Sequence, residues 1–122
     1  ITIHGSSIPS KKIESYYKQR IRNSYYWKDC KEVEVHIPGT GVSGFHTSFL
    51  KLHYENSFPV KNMADVFVGI QCLDQGIKCI SLEHSKDWID GGLHDDEGRT
   101  IFNTYKGDDP VQAGYINTRK WI

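Results

Sequence analysis

Apolar side chains recur at helical spacing in one stretch of the chain, Asn62–Gly76. They follow one another at steps of three and four residues and predict a helix with an apolar face, formed by Met63, Val66, Phe67, Ile70 and Leu73. Asn62 is predicted to cap the start of this helix and Gly76 its end. The short apolar run Lys78–Leu82 then predicts a buried strand. A helix followed by a buried strand is typical of α/β proteins.

Strands and a further helix are predicted in the first third of the chain. Ile1–His4 is expected to be a short buried strand, and Lys31–Ile37 a half-buried strand with His36 on its surface side. Lys11–Arg22 is expected to be a helix that Ser10 caps. The expected helix has four apolar or aromatic positions on roughly one side, namely Ile13, Tyr16, Tyr17 and Ile21.

In the last third of the chain, the sequence predicts a polar loop and two short helices. Asp90–Gly98 is rich in glycine and aspartate and predicts a loop. Thr100–Lys106 and Asp109–Arg119 predict two short helices. Pro110 directly follows Asp109, which is typical of a helix start.

Size and composition fit one folded domain. The chain has 122 residues, 38% of them hydrophobic and 12% aromatic, which is enough for a core. Its 15 basic residues balance 15 acidic ones, and this argues against nucleic acid as the main partner, because phosphate binding normally shows as a basic excess. Cys30, Cys72 and Cys79 have no metal-ligand spacing and predict reduced thiols in a cytosolic protein.

A glycine-rich segment, Ile37–Leu50, follows the predicted strand Lys31–Ile37. Glycine allows positive φ angles and a close approach of backbone N–H groups to a ligand, so three glycines within six residues suggest a binding loop, Gly39, Gly41 and Gly44. A tight turn is the plainer alternative, because the segment matches neither a phosphate-loop nor a dinucleotide-binding pattern.

Two further features lie near predicted element ends. Asp65 falls in the first turn of the predicted helix Asn62–Gly76, where a carboxylate suits a general base or simply helps to cap the helix. His84 and Lys86 follow the predicted strand Lys78–Leu82, and they could face a metal and a phosphate. The alternative is a solvated loop with Trp88 in the core.

Four segments of the chain carry a resemblance to a known family. In order, they read IHG, IPGTGVSGFHTS, NMADVFVGIQCLDQGI and KCISLEHSKDWI. This succession resembles the C-terminal half of bacterial GT-A-fold glycosyltransferases, in particular family-2-like enzymes and sugar transferases of capsule or lipopolysaccharide synthesis. It spans about Ile1–Ile89. The resemblance implies an α/β fold that is part of the GT-A fold, with a mixed sheet flanked by helices.

The resemblance also implies roles for individual residues. Asp65 matches the acid that takes the proton from the acceptor hydroxyl in inverting members, and His84 matches a position facing the metal and diphosphate. Trp88 is expected to pack beneath them. The donor sugar and its diphosphate are expected to contact six residues, Gly39, Thr40, Gly41, His46, Lys86 and Trp88.

Two departures from the family pattern bear on this assignment. Many members have Glu-Asp where this chain has Ala64-Asp65, so the role of the base falls to a single carboxylate. The D-x-D motif that holds a divalent ion is absent, and His94-Asp95-Asp96 comes too late to replace it. The chain also opens on apolar residues without methionine. We therefore expect one domain, residues 1–122, that is the acceptor-side part of a longer protein, with Mn or Mg bound only in the full-length protein.

The expected function is sugar transfer from a nucleotide-sugar donor to a glycan or lipid-linked saccharide, in bacterial surface polysaccharide synthesis. The expected location is the cytoplasm, with peripheral association of the parent protein at the inner face of the membrane, and the fragment alone is expected to be inactive. The alternative is a carbohydrate-binding or assembly module without catalysis. It would use aromatic rings as stacking surfaces, namely Tyr25, Tyr26, Trp27 and Trp88.

Overall fold

The computed structural model describes residues 1–25, 29–89 and 100–122. The predicted loop Asp90–Gly98, with its acidic pair Asp95 and Asp96, lies outside the described residues, and so do Tyr26 and Trp27. The strands are β1 (Gly5–Ser7), β2 (Ile21–Asn23), β3 (Val33–Val35), β4 (Ile37–Pro38) and β5 (Cys79–Ser81). The α-helices are α1 (Tyr16–Gln19), α2 (Tyr54–Ser57), α3 (Ala64–Asp74), α4 (Ile101–Tyr105) and α5 (Asp109–Ile116).

The described strands form two small antiparallel sheets. One has the strand order β2-β1-β4, and the other pairs β3 with β5. The predicted α/β class is confirmed at this level. A mixed sheet was expected, but the pairings within both sheets are antiparallel. Among the described residues, parallel pairing is found at the isolated bridge between Thr2 and Ser81.

Helix α3 forms as the apolar spacing predicts, and the core surrounds it. On one side it packs with α5 and β4, and on the other with the β3–β5 sheet. Because α3 is covered on both sides, Val68 and Cys72 are buried as well as the predicted face, of which Leu73 is only partly buried. Gly69 lies where α3 approaches β4, and a β-carbon there would stand 2.7 Å from the His36 carbonyl oxygen. The close contact between helix and strand therefore requires glycine.

The two ends of α3 compare differently with the prediction. Gly76 follows the last turn with a φ of 68°, and the Ile77 N–H bonds the Cys72 carbonyl at 2.8 Å, which is a Schellman cap. The predicted cap at the start is wrong. Met63 precedes the helix without a side-chain hydrogen bond, and Asn62 lies before it with a left-handed φ of 63°.

The long helix predicted for Lys11–Arg22 is wrong. Only α1 is helical there, and Ser15 rather than Ser10 caps it, by accepting a hydrogen bond from the Lys18 N–H at 3.2 Å. The chain then turns extended at Arg20 and pairs with β1 as strand β2. Pairing with a neighbouring strand satisfies the backbone hydrogen bonds as well as a helix does. The tertiary contact with β1 therefore overrides the helix that the local apolar spacing predicts.

Two strand predictions also need correction. Lys31–Ile37 divides into β3 and β4, which belong to different sheets, and His36 stands between them. His36 is not a plain surface residue: its Nδ1 accepts the Ile8 N–H at 2.8 Å, and its Nε2 lies 2.8 Å from the Ile122 carbonyl oxygen. At the start of the chain, β1 begins at Gly5 rather than at residue 1.

Three of the remaining elements agree with the sequence, whereas α2 lies in Tyr54–Lys61, where the sequence predicts a loop. The buried strand predicted for Lys78–Leu82 is β5, and the two C-terminal helices are α4 and α5, the second with Pro110 in its first turn. The three cysteines all lie in the described part of the chain, where they are buried and form no disulfide. Within residues 1–25, 29–89 and 100–122, no helix has both the length and the apolar character required to cross a bilayer.

Candidate functional site

Asp65 and the glycine-rich segment meet at the start of α3. The Oδ1 atom of Asp65 accepts the Thr40 backbone N–H at 2.9 Å and also a short hydrogen bond from the Thr40 hydroxyl. Its Oδ2 atom has no hydrogen-bond partner among the described residues, and the side chain is half-buried. Thr40 thus fixes one carboxylate oxygen, and the other oxygen can accept a proton, or a hydrogen bond from a hydroxyl group.

Within the glycine-rich segment, only Gly39 is confined by its surroundings. Its N–H donates to the His4 carbonyl at 2.6 Å, and a β-carbon would stand 2.7 Å from Cδ2 of the His4 ring. Gly41 is exposed with no atom nearby, and none of the described glycines before Gly76 has a positive φ. The segment therefore needs glycine for the packing of His4 and not for unusual backbone angles.

His4 brings an imidazole to the same place. Its Nδ1 is buried without a hydrogen-bond partner in the described part of the chain, and its ring stands edge-on to Tyr25 with centroids 5.7 Å apart. Burial lowers the pKa of His4 below its ordinary value, and the charges of Arg20 and Arg22 lower it further, whereas Asp65 acts in the opposite direction. The folded protein therefore favours a neutral His4.

The charge of Arg20 lowers the pKa of His4, and the hydrogen-bond partners of Arg20 itself are neutral. Its Nη1 lies 3.2 Å from the Tyr16 hydroxyl and 3.4 Å from Oγ of Ser6, and the guanidinium stands 4.7 Å from the centre of the Tyr16 ring. Burial raises the pKa of Tyr16, so its hydroxyl stays protonated. The site therefore combines Asp65 with an imidazole and a guanidinium.

His84 lies inside the fold, in contact with the residue that precedes His4. It is buried, with Nε2 3.1 Å from the Ile3 carbonyl oxygen and Nδ1 3.1 Å from that of Ser85. Both ring nitrogens are therefore directed at backbone carbonyls. The role of His84 as a metal ligand stays a prediction. Its observed contacts hold residue 3, and thereby the neighbouring His4, in place.

The other predicted site residues form no hydrogen bond with Asp65 among the described residues. Lys86 is exposed, and its backbone N–H bonds the Asp29 carboxylate. Trp88 is 63% exposed, so the expectation that it packs beneath the site, or into the core, is wrong. His46 lines an apolar cavity of about 210 Å³ together with Phe49. A cavity of about 580 Å³ near Trp121 contains none of the predicted site residues.

The divalent metal expected in the full-length protein stays a prediction, and the described residues supply few ligands for it. In residues 1–25, 29–89 and 100–122, no three histidine, cysteine, aspartate or glutamate side chains come together as a ligand group. A divalent ion of the expected kind prefers several carboxylate or carbonyl oxygens. Asp65 supplies one carboxylate, and one of its oxygens is already engaged by Thr40.

His4 and Arg20 are the site residues that sequence reasoning missed. His4 belongs to the IHG segment, which contributed to the resemblance without receiving a role of its own. Arg20 was assigned to a helix, whereas the structure brings it beside β1 through its contact with Ser6. Alternation was the available signal, because Arg20 and Arg22 have the two-residue spacing of a strand face.

The titration of His4 gives a direct test of this site. We expect the imidazole of His4 to have a pKa below 6.5 in the folded protein. The stability that the neutral imidazole contributes is then complete above pH 6.5, and it is lost as the pH falls through the pKa of His4 in the folded state. NMR titration of the ring measures this pKa. Urea unfolding at about pH 7.5 and about pH 5.5 should show a loss of stability in acid that His4→Asn reduces. A His4 pKa at or above 6.5 would contradict the described burial.

The chain matches no protein-family model, and no curated protein matches it either. Its function is therefore inferred from the geometry of the site, together with the sequence resemblance described above.

Proposed function

We propose that this chain is the acceptor-side part of a GT-A-fold glycosyltransferase that transfers a hexosyl or N-acetylhexosaminyl group. The observation that carries the proposal is the setting of Asp65. It stands in the first turn of α3, with one oxygen held by Thr40 and the other without a partner in the described residues. A carboxylate that is oriented on one side and open on the other suits a general base.

The proposed reaction needs one proton transfer at this carboxylate. An acceptor hydroxyl donates a hydrogen bond to Oδ2 of Asp65, and its oxygen attacks the anomeric carbon of the donor sugar. As the new C–O bond forms, the proton passes to Asp65 and the bond from the anomeric carbon to the diphosphate oxygen breaks. Thr40 contributes by fixing the carboxylate, because a general base must lie within hydrogen-bond reach of the proton that it removes.

The proposal extends to the setting of the reaction. The donor is a nucleotide sugar, the acceptor is a glycan or lipid-linked saccharide, and the place is the cytoplasm or the inner face of the membrane in bacterial surface polysaccharide synthesis. The described residues do not assemble a metal site. The divalent metal and the nucleotide-binding half are therefore assigned to the rest of the full-length protein.

A transfer assay tests this proposal. The full-length protein is incubated with a panel of nucleotide sugars and with saccharide acceptors, and the products are identified by mass spectrometry. We expect a glycosylated acceptor and a released nucleotide diphosphate with at least one donor. Hydrolysis or transfer that does not depend on the acceptor, or no reaction with any donor, would contradict the proposal.

One observation favours the second candidate, a carbohydrate-binding module without catalysis. Trp88 is 63% exposed, and an exposed indole offers a flat apolar face on which a sugar ring can stack. This candidate predicts that the 122-residue chain binds a free glycan in the absence of nucleotide sugar, and that Trp88→Ala abolishes binding. Asp65→Asn would leave that binding unchanged, which separates the two candidates.

A further inference from the structure

Arg20 carries a positive charge that no described carboxylate neutralises by contact. The residue is half-buried, and its hydrogen bonds within the described residues go through Nη1 to the neutral hydroxyls of Ser6 and Tyr16. Its Nε and Nη2 groups have no acceptor in the described part of the chain. Because guanidinium groups bind carboxylate or phosphate oxygens in pairs, the unused donors indicate an anionic ligand.

The pairing of β1 with β2 brings Arg22 to the face of the sheet on which Ser6, the partner of Arg20, lies. Ser6 on β1 lies directly opposite Arg22 on β2 and opposite Ile37 on β4. Residues that face each other across antiparallel strands project to one side of the sheet. Ile37 packs into the core with α3, the helix whose first turn contains Asp65. Arg22 therefore projects from the sheet face that α3 covers.

His4 completes this group from the end of β1. It lies two residues before Ser6, and its Nδ1 is buried without a hydrogen-bond partner in the described residues. Arg20, Arg22 and Asp65 all lie near enough to act on its charge. Of these three described residues, Asp65 is the carboxylate, and it already accepts two hydrogen bonds from Thr40.

We propose that His4, Arg20 and Arg22 together bind a phosphate or diphosphate group. A phosphate oxygen would satisfy the buried ring nitrogen of His4, and others would take the unused donors of Arg20. The sequence resemblance placed the diphosphate at His84 and Lys86 instead. That the group is the diphosphate of the donor sugar rests on the proposed function, whereas anion binding at these three residues does not.

Binding of inorganic pyrophosphate to the 122-residue chain tests this site without any transfer reaction. Calorimetry measures the dissociation constant, and NMR follows the His4 ring. We expect Arg20→Gln and Arg22→Gln each to weaken binding by about tenfold or more, because each removes charge-assisted hydrogen bonds. Lys12→Gln removes an exposed cation elsewhere and should leave the constant unchanged.

The His4 ring gives a readout that requires no variant. Pyrophosphate should raise the pKa of His4, because a bound anion favours the charged imidazole. Binding with an unchanged His4 titration, or equal losses in Lys12→Gln and the arginine variants, would overturn the site. Binding to vesicles that contain phosphatidic acid is measured as a second arm of the experiment. Tight binding to these vesicles without binding to pyrophosphate would show that the partner is a lipid surface, and it would overturn a site for a single phosphate group. Pyrophosphate binding by the 122-residue chain, together with no sugar transfer by the full-length protein, would keep this site and refute the proposed function.

Discussion

Replacing Asp65 with asparagine in the full-length protein of the proposed function is expected to lower kcat for the proposed sugar transfer by about 10²- to 10⁴-fold. Asparagine keeps an oxygen that can accept both hydrogen bonds from Thr40, so the segment should stay in place. It cannot take up the acceptor proton. Because the loss falls on the chemical step, KM for the donor should change little, and steady-state kinetics measures both quantities.

Asp74 provides the matched control on the same helix. It lies at the other end of α3, where its carboxylate pairs with Arg119 at 2.6 Å, and that contact lowers the pKa of Asp74. An exposed ion pair contributes about 0–1 kcal/mol, so Asp74→Asn should alter stability slightly and kcat not at all. Undiminished turnover in Asp65→Asn would rule out the base role, and an equal loss in both variants would show a general effect on the helix.

The second large effect is expected in the core. Ile116 on α5 is fully buried, at 0% exposure, among Val66, Phe67 and other side chains that α3 contributes to the same cluster. Ile116→Ala should lower the free energy of unfolding by about 2–5 kcal/mol, because it removes buried apolar atoms and leaves a cavity. Urea unfolding measures this as a lower midpoint with an unchanged slope.

Ile101 allows the same substitution on a neighbouring helix. Its side chain is 65% exposed, and Ile101→Ala should therefore change the free energy of unfolding by only about 0.5 kcal/mol. Domains are stable by about 5–15 kcal/mol in total, so the two variants should differ clearly. Equal effects of the two substitutions would contradict the packing of α5 against α3.

The sequence predicted the elements whose signals are local and agree with one another. Helix α3 has apolar spacing and a glycine after its last turn, and strand β5 is a short apolar run after it. The helix predicted for Lys11–Arg22 failed because Ser15 and Gln19 close a single turn with their side chains. The residues after that turn then gain a strand partner, β1, which spacing along the chain does not reveal.

The sequence predicted those residues of the candidate site that lie at the end of a predicted strand or at the start of a predicted helix. The first-turn position of Asp65 and the glycine segment after the Lys31–Ile37 strand suggested a site, and the structure joins them through Thr40. His4 and Arg20 could not be placed with them, because these residues come together only through the pairing of β1 with β2 and the packing of His4 on Gly39. Separation in sequence hid that contact.

The absence of a side chain at Gly69 has a consequence four residues away. Gly69 lies one helical turn after Asp65 and so on the same side of α3, where the helix backbone rests on the carbonyl of His36. A methyl group there would clash with that carbonyl, and we expect the movement that relieves the clash to disturb the contact of Asp65 with Thr40. The position of the Asp65 carboxylate therefore depends on a glycine that has no contact of its own with that carboxylate.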